Sequence, residues 1–443
     1  MLVGLLVVVG ACGEATTGRD ARVSVAPDSA GVVDLGVGQP DLAKDSPVAV
    51  VDAPGPWPLD AAVKPNSGVD APALDTSVDR GIAAEVPAPT SQAWSMGYYA
   101  GYDVTRLAVN DIAWAGLTHV AAAFYFPKAD GSIDESFYQG SVAAGRKLGQ
   151  DLVAAAHANG RKAVASLGGA ASQASFKTSV AGTTRDTFVQ AIVRLAADYG
   201  YDGIDFDWEP LPATDEPLLL DLATRVRAAN PALLLTVPVG WVNANVKTSL
   251  TGYGALAKVV DQINIMTYGA AGAWSGWKSW HSSALYQTDS ATPSSVDSSV
   301  RAYLAAGVPK EKLGFGIGFY GLCYTFPITG PLQTLSATAT LGSGDGAMAF
   351  ATIRQTYTTP AARRWDAVAR VPYLSFAAET GPKGCGYISY DDEQSIAEKA
   401  AYLKAQGLGG VIIWEINEGH LSSEPEGQRD PLMDALAKLV LGE

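Results

Sequence analysis

The sequence predicts an α/β fold in which eight strand–helix units close into a (β/α)8, or TIM, barrel. From Trp94 onward short apolar runs alternate with stretches of helical period, the pattern of parallel strands joined by crossover helices. Eight such runs occur, at 95–100, 119–126, 162–167, 203–209, 233–239, 260–268, 313–319 and 410–416. Eight units in about 350 residues suit a closed barrel with insertions better than an open doubly wound sheet. Between the strands, segments such as 185–199 set Phe188, Ile192, Leu195, Ala196 and Tyr199 on one helical face, as a crossover helix requires. The widest interval, about 322–386, is longer than one loop and one helix and contains β-prone pieces. A small α+β insertion is expected there, between strand seven and the last helix, with Cys323 and Cys385 near its two ends.

Residues 93–443 therefore form the expected barrel domain, and what precedes it is of another kind. The apolar run Leu2 to Ala11 is too short to span a bilayer and reads as a signal peptide, residues 1–12. Its end, Val9-Gly10-Ala11-Cys12, resembles the bacterial lipobox, which makes Cys12 the expected lipid attachment site; an ordinary secretory segment with a chance cysteine is the alternative. Residues 13–92 are rich in Ala, Val, Asp and Pro, repeat Val-Asp-Ala-Pro at 51 and 69, and hold one aromatic residue, Trp57. Such a segment cannot build a core and is expected to be a disordered linker. As a flexible coil of about eighty residues it would reach roughly 50 Å, enough to serve as a tether. The expected location is outside the cytoplasm, lipid-anchored at the cell envelope on the outer membrane, with surface exposure or release as alternatives and the membrane as a partner through Cys12.

Composition removes several functions. With 443 residues, 48% hydrophobic and 17% charged, the chain as a whole is neither disordered nor a coiled coil. A net charge of −14 opposes binding to phosphate backbones, so no nucleic-acid partner is expected. The four histidines, His119, His157, His281 and His420, and three distant cysteines offer no zinc-ligand spacing, and neither metal nor cofactor is expected. Cys323 and Cys385 are an even count in an exported chain and are expected to form a disulfide, two buried free thiols being the alternative.

The strongest chemical signal is Tyr201-Asp202-Gly203-Ile204-Asp205-Phe206-Asp207-Trp208-Glu209-Pro210. Alternate residues of a strand share a face, so Asp205, Asp207 and Glu209 point together into the barrel while Ile204, Phe206 and Trp208 face the helices. Asp202, on the opposite parity, reads as structural. Three carboxylates at i, i+2 and i+4 repel one another and lose hydration on burial, so no packing need explains them. The arrangement raises the pKa of at least one, as a general acid near neutral pH requires. Glu209 comes last and falls at the carboxyl end of its strand, where barrel active sites are built, and Pro210 and Pro212 are expected to stiffen the loop that carries it. A divalent-metal cluster is the alternative chemistry for the same pattern.

Asp202-Gly203-Ile204-Asp205-Phe206-Asp207-Trp208-Glu209 resembles the DxxDxDxE signature of family 18 glycoside hydrolases, the chitinases and their relatives. The likeness extends over about 94–441: Gly97-Tyr98-Tyr99 is similar to the family's first strand and Ser166-Leu167-Gly168-Gly169 to its SxGG. Gln262-Ile263-Asn264-Ile265-Met266-Thr267-Tyr268 is similar to the sixth strand, Val411-Ile412-Ile413-Trp414-Glu415 to the eighth, and Gly386-Tyr387-Ile388-Ser389-Tyr390-Asp391 to the segment before the last helix. The resemblance implies a retaining mechanism in which the substrate's N-acetyl carbonyl is the nucleophile. It assigns Glu209 as acid and base, Asp207 as the group that orients the acetamide, Asp205 as the support that keeps Asp207 protonated, and Tyr268 as a donor to the acetamide oxygen. It also implies sugar-binding roles for Trp414, the floor of the site, and for Tyr98, Ser166, Phe124 and Met266. One departure stands out: the family places Asp after this tyrosine, whereas here the residue is Gly269, which implies reduced turnover or altered preference.

Trp241 follows strand five and Trp274, Trp277 and Trp280 follow strand six; such rings stack on pyranose faces, with core packing as the alternative for each. Two other patterns carry little. Gly316-Ile317-Gly318-Phe319-Tyr320-Gly321 fits GxGxxG but lies in a strand with no helix after it, so its glycines read as packing residues. His157 and His281 have no serine or cysteine nucleophile motif to serve and read as satisfied surface residues. The expected function is hydrolysis of β-1,4 bonds next to N-acetylglucosamine in chitin or chitooligosaccharides. An endo-β-N-acetylglucosaminidase acting on glycoprotein glycans or peptidoglycan, and a non-catalytic chitin-binding lectin, are the alternatives; non-catalytic relatives usually lose the acid, which is present here as Glu209.

Overall fold

The structure is a computed structural model that describes residues 93–242, 250–273, 277–287, 294–335 and 345–443. Cys12, the 13–92 linker and Trp274 lie outside the described residues. In chain order the strands are β1 (Trp94–Ala100), β2 (His119–Pro127), β3 (Ile133–Asp134), β4 (Lys162–Gly169), β5 (Gly203–Trp208), β6 (Leu234–Gly240), β7 (Gln262–Met266), β8 (Leu313–Gly318), β9 (Leu322–Thr325), β10 (Arg363–Asp366), β11 (Val371–Thr380), β12 (Cys385–Ser389) and β13 (Gly410–Trp414). The eight expected strands are β1, β2, β4, β5, β6, β7, β8 and β13. They pair in parallel, and β1 bonds to both β13 and β2, which closes the ring.

The period-two pattern sorts the apolar side chains into two cores. Met96 and Tyr98 of β1, Ala121 and Ala123 of β2, Val164 of β4 and Ile412 of β13 fill the barrel interior. The opposite parity packs outward: Ile204, Phe206 and Trp208 of β5 join the large layer between strands and helices, where Trp208 stacks on Phe176 with centroids 4.7 Å apart. The helix Thr184–Tyr199 lays Phe188, Ile192, Leu195, Ala196 and Tyr199 into the same layer. It stops at Gly200, whose φ of 82° is the left-handed cap that glycine adopts without a Cβ clash. Among the described residues no helix is long and apolar enough to cross a membrane.

The expected insertion is an antiparallel sheet of order β10-β11-β12-β9, with the short helix Phe350–Thr352 between β9 and β10. Its last strand runs to Ser389, because Ile388 and Ser389 still pair with both β9 and β11. The expected disulfide joins Cys323 of β9 to Cys385 of β12, with Cα atoms 5.5 Å apart and a sequence separation of 62. In the loop-entropy model a closure of that length contributes roughly 4 kcal/mol by restricting the unfolded chain.

Candidate active site

Strand register builds the base of the site. Ser166 of β4 and Thr236 of β6 are the in-register neighbours of Asp205 on β5. Thr236 Oγ1 donates to Asp205 Oδ1 (2.5 Å), while Ser166 Oγ (2.7 Å) and Tyr98 Oη (3.0 Å) donate to Oδ2. Burial pushes Asp205 up to about 6, and the three hydroxyl donors oppose that rise by stabilising the ionised form. The donors thus favour the ionised form of Asp205. Ser166 and Tyr98, expected to contact sugar, are at most 1% exposed, and their hydroxyls are committed to Asp205. The correction follows from depth: inward residues in mid-strand support the carboxylates from below.

Asp207, two residues on, is 3% exposed, and its Oδ1 has no hydrogen-bond partner among the described residues. Burial, then the charges of Glu209 and Asp205, and a hydrogen bond shared with Glu209, raise its pKa well above the carboxylate range. Asp207 thus holds a proton beside Glu209. Glu209 keeps partial access to solvent at the strand's end. Enclosure raises its pKa, the hydrogen bond from Asp207 opposes the rise, and the charge of Asp205 adds to it. The backbone of Glu209 is pinned: its N–H donates to Ser172 Oγ (3.0 Å), Ser172 Oγ donates to the Asp207 carbonyl (3.0 Å), and the Gln173 N–H donates to the Glu209 carbonyl (3.0 Å). Asp202, on the other face, accepts from the Ala163 N–H (2.8 Å) and pairs with His157 (2.9 Å), the structural role expected of it.

Tyr268 follows β7 and leans over β8. A Cβ at Gly316 would lie 2.5 Å from its ring and one at Gly318 3.1 Å from its Cβ, so these two glycines of the GxGxxG pattern make room for Tyr268, while Gly321 packs against the Ser389 carbonyl and Ile353. Among the described residues no side chain takes the hydrogen bond of the Tyr268 hydroxyl. Gly269 has φ of 60°, and a Cβ there would meet the Tyr320 hydroxyl at 2.9 Å. The space beside this position is thus occupied by a phenol, which burial and the charges of Asp345, Glu418 and Glu209 keep protonated.

Trp414 ends β13 partly exposed, stacked on Phe124 (centroids 5.5 Å, 20°) and tilted against Tyr98 (5.5 Å). Met266 lies in the same apolar group. Trp241 and Trp277 meet edge to face at 6.2 Å, both partly exposed. Trp280 does not join them: it is 3% exposed and its Nε1 donates to the Ser294 carbonyl (2.9 Å), so it is a packing residue of the insertion side. His281, read as a surface residue, is buried between Asp366 (3.0 Å) and the Tyr387 hydroxyl (2.9 Å), because the insertion covers it. Sequence reasoning missed Thr236, Ser172 and Tyr320. The register of β6 against β5 is the one signal that could have found Thr236.

A closed parallel barrel with a line of buried carboxyls ending in Glu209 and a partly exposed tryptophan at the end of β13 is the arrangement found here, and the family match places it in the glycoside hydrolase class. Residues 95–419 match the Glycosyl hydrolases family 18, and the chain belongs to that family. It is 32% identical over 289 residues to a probable endochitinase of Caenorhabditis elegans, covering 58% of this chain and 44% of that protein. It is 29% identical over 347 residues to Chitinase 1 of Aphanocladium album, covering 71% and 78%. In three dimensions it resembles the Group IV chitinase of Ostrinia furnacalis, with a TM-score of 0.66 and 23% identity over 80% of this chain and 100% of that one. The likeness thus spans less than half of the first relative and most of the second.

Proposed function

We propose that the chain hydrolyses β-1,4 bonds next to N-acetylglucosamine in chitin or chitooligosaccharides, with retention and through the substrate's own acetamide. The observation that carries this reading is the placement of Asp207, 3% exposed on β5, two residues before Glu209 at the strand's end. A two-carboxylate retaining enzyme needs its nucleophile across the sugar ring from the acid, about 5 Å away. Here the carboxyl beside the acid is buried under it on the same strand, so it cannot attack the anomeric carbon. The nucleophile then comes from the sugar. Glu209 protonates the glycosidic oxygen, the acetamide carbonyl oxygen closes on the anomeric carbon as the leaving group departs, and an oxazolinium ion results. As the ring closes Asp207 passes its proton to Asp205, so that as a carboxylate it accepts the acetamide N–H and stabilises the positive charge, and it takes the proton back when the ring is opened. Tyr268 donates to the acetamide oxygen. Water deprotonated by Glu209 then opens the ring with retention, and Glu209 recovers its proton.

The full chain is expected to release N-acetylchitobiose from N-acetylchitotetraose as the β-anomer, seen by proton NMR within the first minutes. Cleavage of a high-mannose glycopeptide instead would move the protein to the endoglycosidases, and binding of either glycan without turnover would make it a lectin. An α-anomer as first product would overturn the retaining mechanism.

We further propose that Cys12 carries a lipid that anchors the enzyme at the outer membrane, with 13–92 as its tether, on the strength of the Val9-Gly10-Ala11-Cys12 pattern. The protein is then expected in the envelope fraction and labelled by a palmitate analogue, with Cys12→Ala losing both. An unlabelled parent recovered in the soluble fraction would refute the anchor.

A further inference from the structure

A second group of acids stands beside the sugar-site tryptophan. Glu415 and Glu418 follow Trp414 and are each 1% exposed. Tyr102 Oη donates to Glu415 Oε2 (2.7 Å) and the Gly346 N–H donates to Glu418 Oε1. The other oxygens, Glu415 Oε1 and Glu418 Oε2, are buried with no hydrogen-bond partner among the described residues. Arg106 pairs with Asp103 (2.6 Å) and donates from Nη2 to the Gly346 carbonyl (2.8 Å). Asp345, in the inserted segment, accepts the Trp414 indole N–H on Oδ2 at 3.1 Å. The corner Asp345-Gly346 is thus held on three sides, by Glu418, by Arg106 and by the ring itself.

The clasp is expensive. Burial and the charge of Asp345 raise both Glu415 and Glu418 well above the carboxylate range, and two of their oxygens have no hydrogen-bond partner among the described residues. Buried polar atoms without partners are uncommon, and each asks for a reason. Loop folding alone does not supply one, because an apolar corner would seat the insertion more cheaply. Trp414 does. Its contacts with Phe124 and Tyr98 are between ring faces and edges, which tolerate sliding, whereas its one polar atom has a directional partner, Asp345.

We propose that Asp345 is a positioning residue for Trp414, fixing the rotation of the indole on which the sugar stacks and thereby tying substrate affinity to the seating of the inserted subdomain. The inference rests on the proposed sugar site. It assigns a role in binding, not in bond cleavage, since Asp345 bonds the floor of the site and is separate from the Asp205, Asp207 and Glu209 line.

The test is steady-state kinetics on N-acetylchitotetraose with three full-chain variants. Asp345→Leu, of similar size but without an acceptor, is expected to raise KM about tenfold and leave kcat within about twofold. Asp345→Asn, whose amide oxygen accepts the indole N–H, is expected to restore KM to within about twofold of the parent. In a Trp414→Phe background, which has no N–H to offer, adding Asp345→Leu is expected to change KM no further, and this comparison also separates loss of the contact from loss of folding. Equal KM values for the Leu and Asn variants, a loss in kcat at constant KM, or a full effect of Asp345→Leu on top of Trp414→Phe would overturn the proposal. A parent that neither cleaves nor binds the tetrasaccharide would instead overturn the proposed function beneath it.

Discussion

Glu209→Gln is expected to lower kcat on N-acetylchitotetraose by about a thousandfold to ten-thousandfold while leaving the dissociation constant within severalfold, the range that a positioned general acid contributes. The substitution removes the transferable proton and little else. The backbone on both sides of residue 209 is held by Ser172 and Gln173 through main-chain atoms, so the loop does not depend on the side chain for its place. The glutamine amide can still bond to Asp207. Loss of turnover with retained binding, measured by single-turnover kinetics and calorimetry, would place the residue in bond cleavage; activity above a tenth of the parent's would remove Glu209 from the role of acid.

The parts legible in the sequence are those fixed by local period. Alternation along β5 gave the facing of Asp205, Asp207 and Glu209 and the outward packing of Trp208, and strand-plus-helix spacing gave the barrel. What is set by contact between distant segments was not legible. Thr236, and the part that Ser166 plays under Asp205 in place of the sugar contact its motif implied, depend on three parallel strands aligning at one level, and neither residue announces its register in its own neighbourhood. Ser172 reaches Glu209 from the turn after β4, a contact across 37 positions. Core packing, the alternative left open for Trp280, holds, whereas His281 is buried and not at the surface, because loop residues look alike until the insertion covers them, as it does through Asp366 and Tyr387. The Trp414 to Asp345 contact crosses 69 positions and joins two elements with no shared pattern.

Asp207→Asn is expected to cut kcat by about a hundredfold to a thousandfold and at the same time to stabilise the fold at neutral and alkaline pH. The loss follows from electrostatics: asparagine can still contact the acetamide, but it cannot take up negative charge as the oxazolinium ion forms, and one preorganised group of this kind is worth about that much. The gain follows from linkage. The folded pKa of Asp207 is raised by burial and by Glu209 and Asp205, above an unfolded value of about 3.9. Between those two values the folded chain holds a proton that the unfolded chain has released, so the parent loses stability as pH rises through the interval and loses none below about 4. An amide removes the titration. The Tm of Asp207→Asn should therefore exceed the parent's at pH 8 and converge on it toward pH 4, as scanning calorimetry across that range would record. A Tm difference independent of pH would mean that the proton is not held by Asp207 in the folded chain. Unchanged kcat would mean that the buried carboxyl is an accident of packing, and with it the substrate-assisted route would lose its central group.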